Sequence, residues 1–323
     1  LMRGSWGKGF RAPTLVDMYG DTSSTNLNSP PAPAAGLPGG DRIACEALTA
    51  VRADPLVADN YQPYPVNPCT TNGQYQWMQT SNTGLEPEES KNWGAGVVWS
   101  PTDAMSFALD YYDVEIENVI STVPRALAFE YGNQGLPLYG VVRTAPIIAP
   151  NGTPLPGVPN EILLPTINGA KQTSRGLDFE ANYRLDTGIG TFASKLTWSH
   201  VLEYDYTPVS SGVNELAGTA GYPENRGQLV LGWSKGDFST SVITNYIDGS
   251  SNPDPDEVLP SWTTFDFQAS VSVPWNAKIT IGVRNVGNKM PPFNDSLYGF
   301  PFYDNSIYNI YGRVPYMRYE QNF

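Results

Sequence analysis

An antiparallel transmembrane β-barrel, all β in class, is the architecture this sequence predicts, and three observations predict it. Apolar and polar residues alternate with a period of two in segment after segment. The connections between those segments are tight and long in strict alternation, and aromatic residues gather near the segment ends. A period of two marks a strand with one oily face. Alternating tight and long connections belong to an up-and-down sheet whose two rims differ, as in barrels with short turns on one side of a membrane and long loops on the other. Amphipathic rings prefer the boundary between lipid and water.

Composition agrees. In 323 residues, 19 Lys and Arg stand against 32 Asp and Glu, for a net charge of −13. A protein that binds nucleic acid by neutralising phosphates is thereby excluded. The 31 Gly and 29 Pro, with 19 Tyr, 12 Phe and 8 Trp, describe many short strands joined by turns. No run approaches the roughly 18 apolar residues of a membrane helix, a test that barrel strands escape because alternation hides their hydrophobicity. The length allows two ordinary domains or one large all-β body.

Ten strands are expected, near residues 1–11, 88–100, 103–120, 169–185, 191–206, 224–235, 237–248, 261–274, 277–286 and 312–323. In the third, Met105, Phe107, Leu109 and Tyr111 share a face, but beyond Tyr112 the apolar residues move to Val114 and Ile116. A bulge or the strand's exit from the apolar zone explains that break. The fourth sets Leu177, Phe179, Ala181, Tyr183 and Leu185 opposite Asp178, Glu180, Asn182 and Arg184. The fifth puts Leu196, Trp198, Leu202, Tyr204 and Tyr206 on one side, against Lys195, Thr197, Ser199, Glu203 and Asp205. The eighth sets Phe265, Phe267, Ala269, Val271 and Val273 opposite Asp266, Gln268, Ser270 and Ser272. Reversals are expected at Ser100-Pro101-Thr102, Asp186-Thr187-Gly188, Lys235-Gly236 and Pro274-Trp275-Asn276, where Gly, Pro, Asn or Asp supply the turn. The long connections cover roughly residues 12–87, 121–168, 207–223, 249–260 and 287–311. Trp93, Trp99, Trp233, Trp262, Trp275, Tyr111 and Tyr112 are expected at the two membrane boundaries.

Cys45 and Cys69 are the only cysteines. With no histidine nearby and no second cysteine pair, they do not form a zinc cage. In an oxidising compartment they close a loop of about 25 residues, worth roughly 3 kcal/mol; two unpaired buried thiols are the alternative. Catalytic chemistry finds little support. His200, the single histidine, falls on the apolar face of its strand without a serine or cysteine motif. The carboxylate pairs Asp178/Glu180 and Glu115/Glu117 are expected to be solvated lining of a barrel lumen, not an acid–base pair. Asp254-Pro255-Asp256-Glu257 lacks the spacing of a calcium loop, so a solvated loop is expected there. No metal, cofactor or enzymatic activity is assigned.

Gly7-Lys8-Gly9-Phe10-Arg11-Ala12-Pro13-Thr14-Leu15, followed by Asp17-Met18-Tyr19, resembles the TonB-dependent outer-membrane receptor family. There a strand rising to the cell surface ends in such a stretch, with Phe10, Arg11, Ala12 and Pro13 at its centre. Asn82-Thr83-Gly84-Leu85-Glu86-Pro87-Glu88 stands where the family's next strand begins. Tyr311-Gly312-Arg313 and the closing segment look like the family's last strand, whose alternate apolar residues Met317, Tyr319 and terminal Phe323 are implied to be the signal read by the barrel-assembly machinery; Gln321 departs from that pattern. The resemblance implies a barrel of about 22 strands around an N-terminal plug. The whole chain, residues 1–323, is then about ten C-terminal strands of that barrel, with the plug, the first strands and the segment that meets the TonB complex lying outside it. Leu1 is not an initiator residue, which agrees with a piece of something longer, and the final strand is expected to end the protein.

The implied function is energised uptake of a small-molecule nutrient, such as a ferric siderophore or an oligosaccharide, across the outer membrane of a Gram-negative cell. Its partners are the lipid bilayer, the assembly machinery and the TonB complex. The candidate ligand contacts are loop aromatics: Tyr61, Tyr64, Tyr75 and Trp77 around the cysteines, and Phe293, Tyr298, Phe300, Phe302, Tyr303, Tyr308 and Tyr311 in the last long loop. Packing of the loops on themselves is the competing role for these rings. A passive porin or smaller closed barrel, and a soluble β-rich binding module, are the alternative readings of the whole.

Overall fold

The computed structural model describes residues 1–28, 41–69, 74–209, 212–250 and 258–321. In chain order its elements are β1 (Met2–Arg11), α1 (Leu15–Tyr19), β2 (Ser23–Asn28), α2 (Arg42–Arg52), β3 (Gln74–Thr80), β4 (Glu88–Thr102), β5 (Met105–Thr122), α3 (Arg125–Asn133), β6 (Val141–Arg143) and β7 (Ile147–Ile148). They continue with β8 (Pro154–Leu155), β9 (Pro159–Thr187), β10 (Gly190–Thr207), β11 (Asn214–Glu215), β12 (Asn225–Lys235), β13 (Phe238–Ile247), β14 (Trp262–Val273), β15 (Ala277–Arg284) and β16 (Val314–Gln321). All ten expected strands are present, side by side in the order β1-β4-β5-β9-β10-β12-β13-β14-β15-β16. Neighbours run antiparallel throughout. Among the described residues β1 and β16 each keep one unpaired edge, so the wall is open. No described helix is long and apolar enough to cross a membrane.

Register sorts the side chains onto two faces. One row runs Arg3, Gly96, Asp110, Asp178, Ser199 and Arg226 across six strands. This polar face is the hollow side, where cavities of about 660 and 520 Å³ open. Arg3 reaches Asp110 over Gly96, donating from Nε at 2.7 Å and from Nη2. A Cβ on Gly96 would lie 1.9 Å from the Asp110 carboxylate, so glycine is what lets this pair meet. The opposite face carries Leu109, Leu177, Phe179, Leu196, Leu231, Val242, Phe267 and Ile281, with Trp93 tilted against Tyr111 at 4.8 Å and Trp99 stacked on Phe107 at 5.7 Å. Trp198 and Tyr246 stack at 5.3 Å across the bare Gly227 on the same face.

Higher on that outer face the chemistry changes while the alternation does not. Above Tyr111 come Asp113, Glu115 and Glu117, paired with Arg175 at 2.8 Å, Lys171 at 3.1 Å and Lys91 at 2.9 Å, and Arg175 also holds Glu203 at 2.6 Å. Strand β5 therefore keeps its phase through Ile116 and leaves the apolar zone; its register shifts only beyond Ile116. Of the two explanations for the break in β5, exit from the apolar zone therefore holds: Val114 and Ile116 point to the hollow side without a bulge. One expectation is corrected, because Glu115 and Glu117 line the outer wall, whereas Asp178 and Glu180 do face inward.

A bulge does fall in β10. Val201 pairs with Gly176 and Glu203 with Arg175, so Leu202 is extra and the faces exchange. Tyr204 and Tyr206, expected beside Trp198, turn inward opposite Ser174 and Gln172. Trp262 and Tyr112 also point to the hollow side, unlike the other boundary aromatics, because register sets Trp262 opposite Ile247 and Tyr112 opposite Gly176 on that face. The reversal expected at Ser100-Pro101-Thr102 lies at Asp103-Ala104, just beyond it. A register shift between Trp99 and Thr102 absorbs Pro101, which has no N–H to give to a ladder.

The first two long connections build a folded cap. Strand β9 is 29 residues long, starting about ten residues before the expected position. Its extension pairs with β3 in parallel, Trp77 opposite Ile162, and with β6 on its other side, Val141 opposite Ile162. One hydrophobic cluster joins Trp77, Val123, Ala128, Phe129, Ile162 and Leu164, and a second joins Ala44, Leu48, Val51, Val57, Tyr64, Ala149 and Leu155. A disulfide ties Cys45 of α2 to Cys69. Asp41, 1% exposed, caps α2 and takes two hydrogen bonds from Arg143 at 2.6 and 2.9 Å, while Arg42 binds Glu130 of α3 at 2.7 Å.

Candidate functional site

The segments singled out for their resemblance clamp the feet of the first long loop. Arg11 donates from Nε and Nη2 to the two carboxylate oxygens of Glu88, each at 2.6 Å, and Glu88 Oε1 also accepts from the Ile120 backbone at 2.8 Å. Thr14 and Asp17 form a reciprocal capping box at the start of α1, and the Asn82 N–H donates to the Asp17 carbonyl at 2.9 Å. The Thr14 interactions hold the Asp17 carboxyl below its ordinary range. Asn168 completes the clamp, accepting from Glu86 N and donating to the Glu86 and Asn118 carbonyls, all at 2.8 to 2.9 Å. Phe10 stays on the outer face and exposed.

The loop aromatics divide. Trp77 is 0% exposed and touches Phe129, as does Tyr75 at 5.9 Å. Tyr64 is 6% exposed, donating to Pro156 O at 2.9 Å, and burial pushes its hydroxyl up to about 12. Tyr61 is half-buried against the same cluster. These four rings are joints of the cap. In the last long loop Phe300 is 89% exposed, with Phe302 5.9 Å away and Phe293 beyond it at 5.6 Å from Phe302. Tyr298 and Tyr303 are half-buried, and Tyr308 is buried against Trp262 at 5.6 Å. On β16, Met317 and Tyr319 stand on the outer face. Phe323, like Asp254 to Glu257, lies outside the described residues.

Two hollows open between the loops and the inner wall. One of about 400 Å³ is lined by Asn245, Thr264, Asp266, Arg284, Asn309 and Tyr311. The other, about 320 Å³, is lined by Ser174, Ser199, Tyr204, Tyr222, Glu224 and Arg226. Sequence reading singled out only Tyr311 of the first and missed the second. Arg226 and Glu224 carry no motif, and Tyr204 was assigned to the wrong face. Among the described residues no group of three or more His, Cys, Asp or Glu is placed to hold a metal ion.

The family model for TonB dependent receptor-like β-barrels matches residues 1–286. Solved structures of similar fold include the siderophore receptor PirA from Acinetobacter baumannii, at 13% identity and a TM-score of 0.58 over 98% of this chain and 38% of that one. A mutant of the ferric enterobactin receptor PfeA from Pseudomonas aeruginosa gives 14% and 0.58 over 98% and 37%. The copper transporter OprC gives 12% and 0.52 over 98% and 36%. No curated protein matches the sequence. The chain spans less than two-fifths of the length of these structures, and at such identities the likeness is one of fold. A wall with an oily outside and a polar hollow side, clamped loop feet and a family match over most of its length together make this chain a member of the TonB-dependent receptor family, part of an outer-membrane β-barrel.

Proposed function

We propose that this chain is the C-terminal part of the barrel of a receptor that takes up a small-molecule nutrient across the outer membrane. The TonB complex drives that uptake through a region outside this chain. The observation that carries the reading is the open wall. Its outer face suits hydrocarbon, yet among the described residues β1 and β16 leave backbone groups unpaired, and each such group in lipid costs several kcal/mol. Further strands close the barrel, about twelve if the total is near 22. The outward side chains of Met317 and Tyr319 on β16, together with the terminal Phe323 of the sequence, form the signal for the barrel-assembly machinery.

The ligand enters past the exposed ring of Phe300 and the half-buried rings of Phe302, Tyr303 and Tyr298 in the last loop, toward Tyr308 and the two hollows, and a ferric siderophore or an oligosaccharide is its class. Similarity to receptors named for siderophores and to a copper transporter supports nutrient uptake. The test is uptake of labelled ferric chelates and oligosaccharides by cells with and without the full-length receptor, and with and without a working TonB complex. Uptake that needs both supports the proposal; uptake that needs the barrel but survives loss of the TonB complex makes it a passive porin.

A further inference from the structure

We infer that the hollow bounded by Tyr204, Tyr222, Glu224 and Arg226 is a subsite for a neutral polyhydroxylated ring, so that the nutrient is an oligosaccharide rather than a polyanionic ferric chelate. This rests on the receptor reading above and selects between its two ligand classes. The β10 bulge creates the subsite by turning Tyr204 inward, where it stacks on Tyr222 at 5.2 Å and 26°. Gln172 donates to the Tyr204 hydroxyl at 2.9 Å and fixes that ring, while Tyr222 is 43% exposed and offers its surface to the cavity. Glu224 and Arg226 line the same 320 Å³ space. Among the described residues neither charged side chain has an ion pair or a side-chain hydrogen bond, although most other inward arginines and lysines of the wall and cap are tied to a partner.

A sugar ring has C–H faces that pack on aromatic rings and hydroxyls that both donate and accept. Tyr222, the Arg226 donor fork and the Glu224 acceptor meet those needs together. One cation beside one carboxylate leaves the hollow without net charge, so nothing in it selects an anion.

Charge in the loops argues the same way, independently. The five long connections hold fifteen of the chain's acidic residues and five of its basic ones. Of those five, Arg42 and Arg143 are neutralised by Glu130 and Asp41, and Arg52 and Lys289 donate to the carbonyls of Tyr61 and Ser261. A trianionic ferric chelate approaching this rim meets repulsion that slows its capture, whereas a neutral sugar does not.

The test measures binding to the purified full-length receptor of neutral gluco-, xylo- and manno-oligosaccharides and of a trianionic ferric tris-catecholate. At least one sugar series is expected to bind, with affinity falling about tenfold or more in Tyr222→Ala and in Arg226→Ala, and less in Glu224→Gln. Each variant is first checked for an unchanged melting temperature, and Arg226→Lys serves where Arg226→Ala lowers it. Binding of the catecholate and of no sugar overturns the inference, as does sugar binding indifferent to all three substitutions. Energised uptake of some other nutrient in cells, with no sugar bound, sinks this inference and leaves the receptor reading standing. Absence of any TonB-dependent uptake sinks both.

Discussion

The cap and the last long loop are both rich in aromatic rings and both sit on the same rim, yet they use those rings in opposite ways. In the cap, Trp77 and Tyr64 are interior and Tyr75 packs partly buried on Phe129, closed in by α2, α3 and the extension of β9. In the last loop Phe293, Phe300 and Tyr311 stand in solvent, and the one buried ring, Tyr308, is the one that Trp262 of the wall meets. A ring in a loop becomes core where a second chain segment supplies a partner surface, and remains surface where none does. The cap has that second segment because β9 rises far enough to pair with β3 and β6. Residues 287–311 have no regular strand or helix of their own.

Substitutions sharpen the contrast. The largest effect is expected from Trp77→Ala, which empties a fully enclosed position and costs the cap about 3–5 kcal/mol. Hydrogen exchange on the full-length receptor should then show protection lost in residues 74–80 and 125–164 and kept in β12 to β15. Equal loss in the wall would mean that cap and wall are one cooperative unit. Replacing Cys45 and Cys69 by serine should cost roughly 3 kcal/mol by the loop-closure argument, read as faster protease cleavage within residues 41–69 under non-reducing conditions. Unchanged cleavage would show that the cluster around Leu48 holds α2 without the bond.

Acid should loosen the cap by a smaller amount. Hydrogen bonds from Arg42 hold the Glu130 carboxyl below the usual carboxylate range. Its contribution is therefore complete above the unfolded value, near about 4.3, and is lost as pH falls through the lower folded value. Proteolysis of the cap should quicken below about pH 4, and Glu130→Gln should flatten that step; a step of the same size in the variant would assign it to another carboxylate. The smallest effect belongs to Phe300→Ala, which removes an exposed ring and should change stability by less than about 0.5 kcal/mol by thermal melting. A loss comparable to Trp77→Ala would show that the last loop is packed after all.

The wall was legible because a strand in lipid obeys a rule carried by neighbouring residues alone. Leu177 to Leu185 and Phe265 to Val273 alternate, and each segment lies where the alternation puts it. The tight turns were legible for the same local reason. The clamp between Arg11 and Glu88 was not, although both residues lay in segments already recognised, because the pairing crosses 77 positions of sequence. Tyr204 was misplaced because one extra residue at Leu202 inverts every later side chain, and nothing in the local pattern marks Leu202 as extra.

From the sequence alone came the strands, their order of tight and long connections, the family segments and the sign of the charge on the loops. Each depends on the spacing of residues along one strand or on simple counting. Only the tertiary structure decided which rings are core and which are surface, which carboxylates look out toward the membrane, and which side of β10 Tyr204 occupies. Those outcomes depend on register between strands and on contacts between segments far apart in the chain, where a shift of one residue exchanges the inside for the outside.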